Sequence, residues 1–206
     1  MARFILVRHG ETEWNRLLRY QGQSDIELNE TGIAQAQKIS ERLAGERIDA
    51  AYSSDMKRAT ETARIILSKH ESKIEARQTP LLREMHFGDF EGLDWEQMKD
   101  RFPHLLEDRQ SWRNRGADFA APNGESIADV AERIRQFVAM LDRHDSDETV
   151  LIVAHGGSLQ VLMCHLLEIG PENWWRVRLS NAAITMMETY DQGTALTLLN
   201  DVCHLD

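Results

Sequence analysis

Short apolar strands alternating with amphipathic helices predict an α/β fold with a mainly parallel sheet covered on both faces. The runs Phe4-Ile5-Leu6-Val7 and Val150-Leu151-Ile152-Val153-Ala154 are continuous rather than alternating, as expected of strands buried on both sides. Helical spacing is clearest in Ile127, Val130, Ala131, Ile134, Phe137, Val138 and Leu141, which lead directly into the second of those runs. The chain closes on Ala182 to Tyr190 and Thr194 to Asn200, separated by Asp191-Gln192-Gly193, a hairpin that adds one antiparallel element.

Taken in order, the first run ends abruptly in Arg8-His9-Gly10, a cation and an imidazole at the carboxyl end of a strand. Glu13 to Glu30 reads as a long loop, anchored by Trp14, Leu17, Leu18 and Tyr20. Thr31 caps a helix to about Leu43, with Gly45 as its stop. Ile48 to Ser53 is a weak strand, after which Ser53 or Ser54 caps a helix presenting Met56, Ala59, Ala63 and Ile66. Arg58 falls in the first turns of that helix, where the macrodipole disfavours a cation by about 0.3 to 1 kcal/mol and an anion would relieve both. A short strand over Lys73 to Gln78 leads into a packed loop, Leu82 to Gly92, holding Glu84, Asp89 and Glu91. Helices are expected over Trp95 to Phe102, stopped by Pro103, and over Leu105 to Trp112. Glu125 and Ser126 open the long helix, and another follows Gly157 and runs to about Gly170-Pro171. The segment from about 94 to 123 is an excursion over the active site within a single domain of residues 1–206.

At 206 residues and 42% hydrophobic content the chain builds a substantial core. Its apolar runs fall far short of the roughly 18 to 20 residues that cross a bilayer, so no membrane partner is expected and the location is cytoplasmic. Twenty-four Lys and Arg against 34 Asp and Glu, a formal charge of −10, work against nucleic acid as a partner and require any anion site to be local. Cys164 and Cys203 have neither metal-ligand nor redox spacing. Oligomeric state is left open.

The chemistry gathers where strands end. The second run also stops in a histidine, His155-Gly156-Gly157, and two such strands side by side in a parallel sheet bring His9 and His155 into one crevice, the usual ligand position in open α/β sheets. With Arg8 and Arg58 the crevice is cationic, and guanidinium forks match a tetrahedral oxyanion such as phosphate. Metal ligation is the rival use of paired histidines, but adjacent arginines oppose it, and no metal or other cofactor is expected. No activated Ser, Cys or Asp presents itself, so the nucleophile is an imidazole nitrogen: His9, which Arg8 precedes and to which Gly10 leaves room for approach. His155 then hydrogen-bonds the transferring oxygens, and Glu84 is chosen over Asp89 and Glu91 as general acid for the leaving alkoxide.

Leu6-Val7-Arg8-His9-Gly10-Glu11-Thr12-Glu13-Trp14-Asn15 resembles the signature of the histidine phosphatase, or phosphoglycerate mutase-like, superfamily. The likeness continues in order through Gln21-Gly22-Gln23-Ser24-Asp25 with Leu28 and Thr31-Gly32, Tyr52 to Ala63 including Arg58, Leu82 to Gly92, Pro122-Asn123-Gly124-Glu125-Ser126 and Val153 to Gly157. It implies a three-layer α/β/α sandwich, a phosphohistidine on His9, Glu84 as proton donor, and a phosphate pocket of Arg8, Arg58 and His155, with Asn15, Gln21 and Gly22 lining it and Gly156 placed in the same set. The wording of Glu84 to Gly92 and the short chain resemble the smaller phosphatases more than the glycolytic mutases. A phosphomonoesterase acting on small phosphate esters is therefore expected, with α-ribazole 5'-phosphate as one candidate. A cofactor-dependent phosphoglycerate mutase and a catalytically silent phospholigand-binding module are the alternatives.

Other notable residues take bland roles. His70, His86, His104, His144, His165 and His204 are read as surface or structural, Trp174 and Trp175 as loop anchors, and Met186 and Met187 as hairpin core. Trp112, Arg113 and Arg115 are either a leaving-group lid or a solvated loop.

Overall fold

The computed structural model describes residues 2–70, 73–106, 116–141, 144 and 147–206. The described strands are β1 (Arg3–Arg8), β2 (Ala50–Ser54), β3 (Arg77–Thr79), β4 (Thr149–Ala154), β5 (Ile184–Tyr190) and β6 (Gly193–Asp201), in one sheet ordered β3-β2-β4-β1-β5-β6. β3, β2, β4 and β1 run parallel, while β5 and β6 are antiparallel. The two apolar runs are thus neighbours, with Arg8 opposite Ala154 and the His9 amide continuing the ladder to the Ala154 carbonyl at 3.0 Å.

Both faces of the central strands are buried because the pleat divides their side chains between two cores. Phe4, Leu6, Val150 and Ile152 pack with α5 (Ile127–Leu141) and α6 (Gly156–Leu166). Ile5, Val7, Leu151 and Val153 pack with α2 (Glu30–Arg42) and α3 (Lys57–Ser68). Each such side chain contributes about 1.5–3 kcal/mol, which pins the register that brings His9 and His155 together. Met186 and Met187 fall one on each face, as hairpin core. Phe90, Met98, Leu106 and Ala121 form a third cluster around α4 (Trp95–Arg101).

Several local features differ from the sequence reading. The loop after β1 contains a one-turn helix, α1 (Glu13–Arg16), because Thr12 caps it by accepting from the Asn15 amide. Asn29, not Thr31, caps α2, its Oδ1 accepting from the Gly32 amide at 2.8 Å. Neither Ser53 nor Ser54 caps α3; both stay in β2, and Asp25 from the distant loop accepts from the Lys57 amide at 2.8 Å. Strand β3 is only three residues long and starts at Arg77. Leu105 and Leu106 form a turn on Phe102 rather than the start of a helix; the remainder of that expected helix, with Trp112, Arg113 and Arg115, lies outside the described residues. Trp174 packs on the core, while Trp175 is 37% exposed.

Candidate active site

β1 and β4 deliver His9 and His155 side by side, with ring centroids 5.1 Å apart in an edge-to-face arrangement. Their hydrogen bonds fix complementary tautomers. Nδ1 of His9 lies 2.7 Å from the Gly10 carbonyl, which can only accept, so the proton sits on Nδ1 and Nε2 keeps its lone pair. In His155 the order is reversed: Nε of Arg58, which can only donate, reaches Nδ1 at 3.2 Å, and the neutral ring therefore carries its proton on Nε2. That buried Nε2 has no hydrogen-bond partner among the described residues. One ring offers a nucleophile and the other a donor.

Both imidazoles are held well below the ordinary histidine range, first by burial and then by the charges of Arg58 and, more weakly, Arg8. Arg58 is fully buried, and its fork is held by the carbonyls of Gly22 (Nη2, 2.7 Å) and Ser24 (Nη1, 2.8 Å). Desolvation lowers its pKa to about 10 against the attraction of Glu84. Arg8 donates from Nη1 to the Leu179 carbonyl at 2.6 Å and leaves Nε buried without a partner among the described residues. Burial lowers its pKa too, again opposed by Glu84. Two guanidiniums held by neutral acceptors in a largely enclosed site leave positive charge for an incoming anion.

Glu84 and its two rivals separate by their partners. The Glu84 carboxylate rests on the amino end of α6, accepting from the amides of Gly157 (3.0 Å) and Ser158 (3.2 Å), and it lines the cleft. Glu91 is consumed by the amides of Gln23, Ser24 and Phe87 and the Ser24 hydroxyl. Asp89 accepts from the exposed Asn123 side chain. A Cβ at residue 157 would stand 2.5 Å from Oε1 of Glu84, so glycine is needed there for the carboxylate to dock.

The cleft, about 440 Å³, is walled by Arg8, His9, Asn15, Gln21, Gly22 and Arg58 together with Glu84. Thr12 donates to Oε1 of Gln21 and Asn181 to Oδ1 of Asn15, so both amides keep their NH₂ ends for a ligand. His155 and Gly156 lie behind this wall: a Cβ on Gly156 would stand 3.6 Å from Nε of Arg8. Gly10 does not leave space for an approaching ligand as expected, since the carbonyl of Gly32 occupies it, 2.5 Å from where a Cβ would be.

Sequence reasoning missed Asn181, whose amide reaches the His9 carbonyl at 3.2 Å. It also missed Leu18, Arg19, Tyr20 and Phe87 at the mouth of the cleft. The signal available for Asn181 was its place just before β5, the strand paired with β1. A roomier cavity of about 560 Å³ between α3 and β3, lined by Glu61, Arg64, Lys73 and Glu75 among others, contains none of these groups. Among the described residues no three His, Cys, Asp or Glu side chains are grouped to hold a metal ion, and no helix is long and apolar enough to cross a membrane.

The sequence pattern of the histidine phosphatase superfamily (branch 1) matches residues 4–202. The metal-independent phosphoserine phosphatase of Arabidopsis thaliana is 34% identical over 207 residues, covering 100% of this chain and 84% of that protein. A phosphoglycerate mutase of Schizosaccharomyces pombe is 39% identical over 167 residues, covering 79% of this chain and 78% of that protein. The solved α-ribazole phosphatase of Shigella flexneri has a TM-score of 0.87 at 29% identity, covering 97% of this chain and 96% of the other. With the family pattern running over nearly its whole length, the chain belongs to branch 1 of the histidine phosphatase superfamily.

Proposed function

We propose that this phosphoric monoester hydrolase works in two steps through a phosphohistidine on His9. Nε2 of His9 attacks phosphorus as the bond to the leaving oxygen breaks, and protonated Glu84 gives that oxygen its proton. Water, deprotonated by the resulting carboxylate, then hydrolyses the N–P bond and releases phosphate. Arg8, Arg58 and Nε2–H of His155 hold the phosphoryl oxygens, assisted by Asn15, Gln21 and Gly22, with Gly156 beside Arg8. The observation that carries this reading is the tautomer pair, an unprotonated Nε2 on His9 beside an Nε2–H on His155 that has no partner among the described residues.

The test is chemical quenching. Enzyme mixed with labelled p-nitrophenyl phosphate should retain label in alkali and lose it in acid, the behaviour of a phosphoramidate, and His9→Ala should retain none. Label that survives acid and is lost in alkali would place the nucleophile on a hydroxyl. Hydrolysis without 2,3-bisphosphoglycerate separates this activity from a mutase, which the Schizosaccharomyces relative keeps in view. Any turnover excludes a silent binding module.

The substrate is a small phosphate ester, and one observation favours an acidic leaving group. Arg19 stands exposed at the mouth of the cleft with no ion-pair or hydrogen-bond partner for its guanidinium among the described residues, beside Leu18, Tyr20 and Phe87. A carboxylate on the leaving group, as in phosphoserine, suits that cation better than the neutral body of an α-ribazole phosphate. The chain is taken as one domain with an excursion over the active site at about 94 to 123; Phe87, which packs on the third cluster and lines the cleft, supports this for the described part of that segment. The location is cytoplasmic on this reading, where the free thiols of Cys164 and Cys203 remain reduced.

A further inference from the structure

Glu84 sits in a segment with little regular structure of its own, between two single 3₁₀ turns, Pro80–Leu82 and Gly88–Phe90. No strand ladder fixes its carbonyl. Side chains do so instead. Arg133, on α5, donates from Nη2 to the Glu84 carbonyl at 3.1 Å and from Nη1 to the Leu81 carbonyl at 2.8 Å. The same guanidinium grips Glu125 with both arms, Nε to Oε1 at 3.0 Å and Nη2 to Oε2 at 3.1 Å. Oε2 of Glu125 also accepts from the His86 amide at 2.8 Å, and the Glu125 amide returns a bond to the His86 carbonyl at 2.8 Å. Gln23, next to the cleft wall, brings Nε2 to 3.2 Å from the Glu84 carbonyl and 3.3 Å from Oε2 of Glu125.

The backbone is therefore clasped on both sides of Glu84, before it at Leu81 and after it at His86, by one ion pair anchored on a rigid helix. The pair is well enclosed, with the side chains 14% and 24% exposed, so solvent competes weakly for its bonds. Neither Arg133 nor Glu125 is among the residues lining the cleft.

We propose that Arg133, held by Glu125, is a positioning residue that sets where the Glu84 carboxyl group meets the leaving oxygen. This rests on Glu84 being the proton donor. In the first step the N–P bond to His9 forms, the P–O bond breaks, and the Glu84 proton passes to the departing oxygen. A carboxyl displaced by a fraction of an ångström no longer spans that gap, and the cost appears only where the leaving group needs the proton.

Single-turnover phosphorylation of the enzyme by an alkyl phosphate and by p-nitrophenyl phosphate tests this in wild type, Glu84→Gln, Arg133→Met, Arg133→Lys and Glu125→Gln. Arg133→Met should slow the alkyl ester roughly 10- to 100-fold and p-nitrophenyl phosphate by less than about threefold, since nitrophenolate leaves without a proton. Arg133→Lys should recover part of the loss, and Arg133→Met added to Glu84→Gln should slow the alkyl ester little further, because both act on one proton transfer. If Arg133→Met does not fold, the near-isosteric Glu125→Gln should show the same selective loss on a smaller scale. Should Glu84→Gln discriminate between the esters while the Arg133 and Glu125 variants slow both alike, or neither, the positioning role is overturned. Should Glu84→Gln fail to discriminate, the acid assignment itself falls and takes this role with it; the two failures are told apart by that one variant.

Discussion

Nε of Arg58 donates to Nδ1 of His155 across 3.2 Å, and this single bond decides which nitrogen of His155 carries a proton toward the phosphoryl site. The other two arms of the fork are held by the carbonyls of Gly22 and Ser24, so the guanidinium cannot turn away. A lysine keeps the charge but supplies a point cation on a flexible stem, unable to serve three acceptors in fixed directions. Arg58→Lys should therefore lower kcat/KM for p-nitrophenyl phosphate by roughly 10²- to 10³-fold, the range for losing a pre-set donor to a developing charge. Inhibition by inorganic phosphate should weaken in parallel. An unchanged inhibition constant would mean that charge alone, and not the fork, builds the site.

The depressed histidines make stability depend on pH in a definite direction. His9 and His155 resist protonation in the folded protein, by burial first and the arginines second, whereas in the unfolded chain they titrate near the ordinary value of about 6.5. Below that pH the unfolded chain binds protons that the folded one refuses, so stability is full above about pH 6.5 and is lost as pH falls toward the lowered folded values. Each ring adds to that loss as the pH falls below about 6.5. Urea unfolding in phosphate-free buffer should show His9→Ala losing less stability than wild type as the pH is lowered through that range. Equal losses would show that His9 titrates normally when folded.

Legibility in the sequence followed how local each cause is. Arg8, His9 and His155 could be read because two strands end where their apolar runs end, and the parallel pairing of β1 with β4 does the rest. The depth of Arg58 could not, because it depends on carbonyls of Gly22 and Ser24 in a loop far along the chain. That loop also hid the capping of α3, done by Asp25 rather than by a serine adjoining the helix. Spacing alone could not rank Glu84 above Glu91 and Asp89; only the docking of Glu84 on α6 and the full commitment of Glu91 to four donors separate them. Asn181 stands just before β5, but that position points to the site only once β5 is known to return antiparallel beside β1.

Gly157 sets stability against activity. It lies in the first turn of α6, where alanine would be the better helix former by about 0.5 to 1 kcal/mol. The Cβ of Gly157→Ala, however, would stand 2.5 Å from Oε1 of Glu84, and the flexible carboxylate is what must give way. The variant should unfold at equal or higher urea concentration than wild type yet phosphorylate His9 more slowly from alkyl phosphates, with p-nitrophenyl phosphate little affected. Loss of stability together with equal slowing of both esters would show instead that the helix terminus itself is distorted.

Arg19 gives the substrate question a direct test. Its guanidinium is exposed at the mouth of the cleft, apart from the half-buried Arg8 and the buried Arg58 proposed to take the phosphoryl group. A charge-assisted hydrogen bond to a leaving-group carboxylate at such a half-solvated position is worth about 1.4 kcal/mol, roughly tenfold in binding. Arg19→Ala should accordingly raise KM for phosphoserine roughly tenfold with kcat nearly unchanged, because the contact is the same before and during the reaction. Phosphoethanolamine, which lacks the carboxylate, should be a poorer substrate of the wild type and indifferent to the change. Raising ionic strength should shrink the phosphoserine effect, since the pair faces solvent. A matching rise in KM for both esters would mean that Arg19 steers the phosphate dianion itself, and the preference for an acidic leaving group would then have to be abandoned.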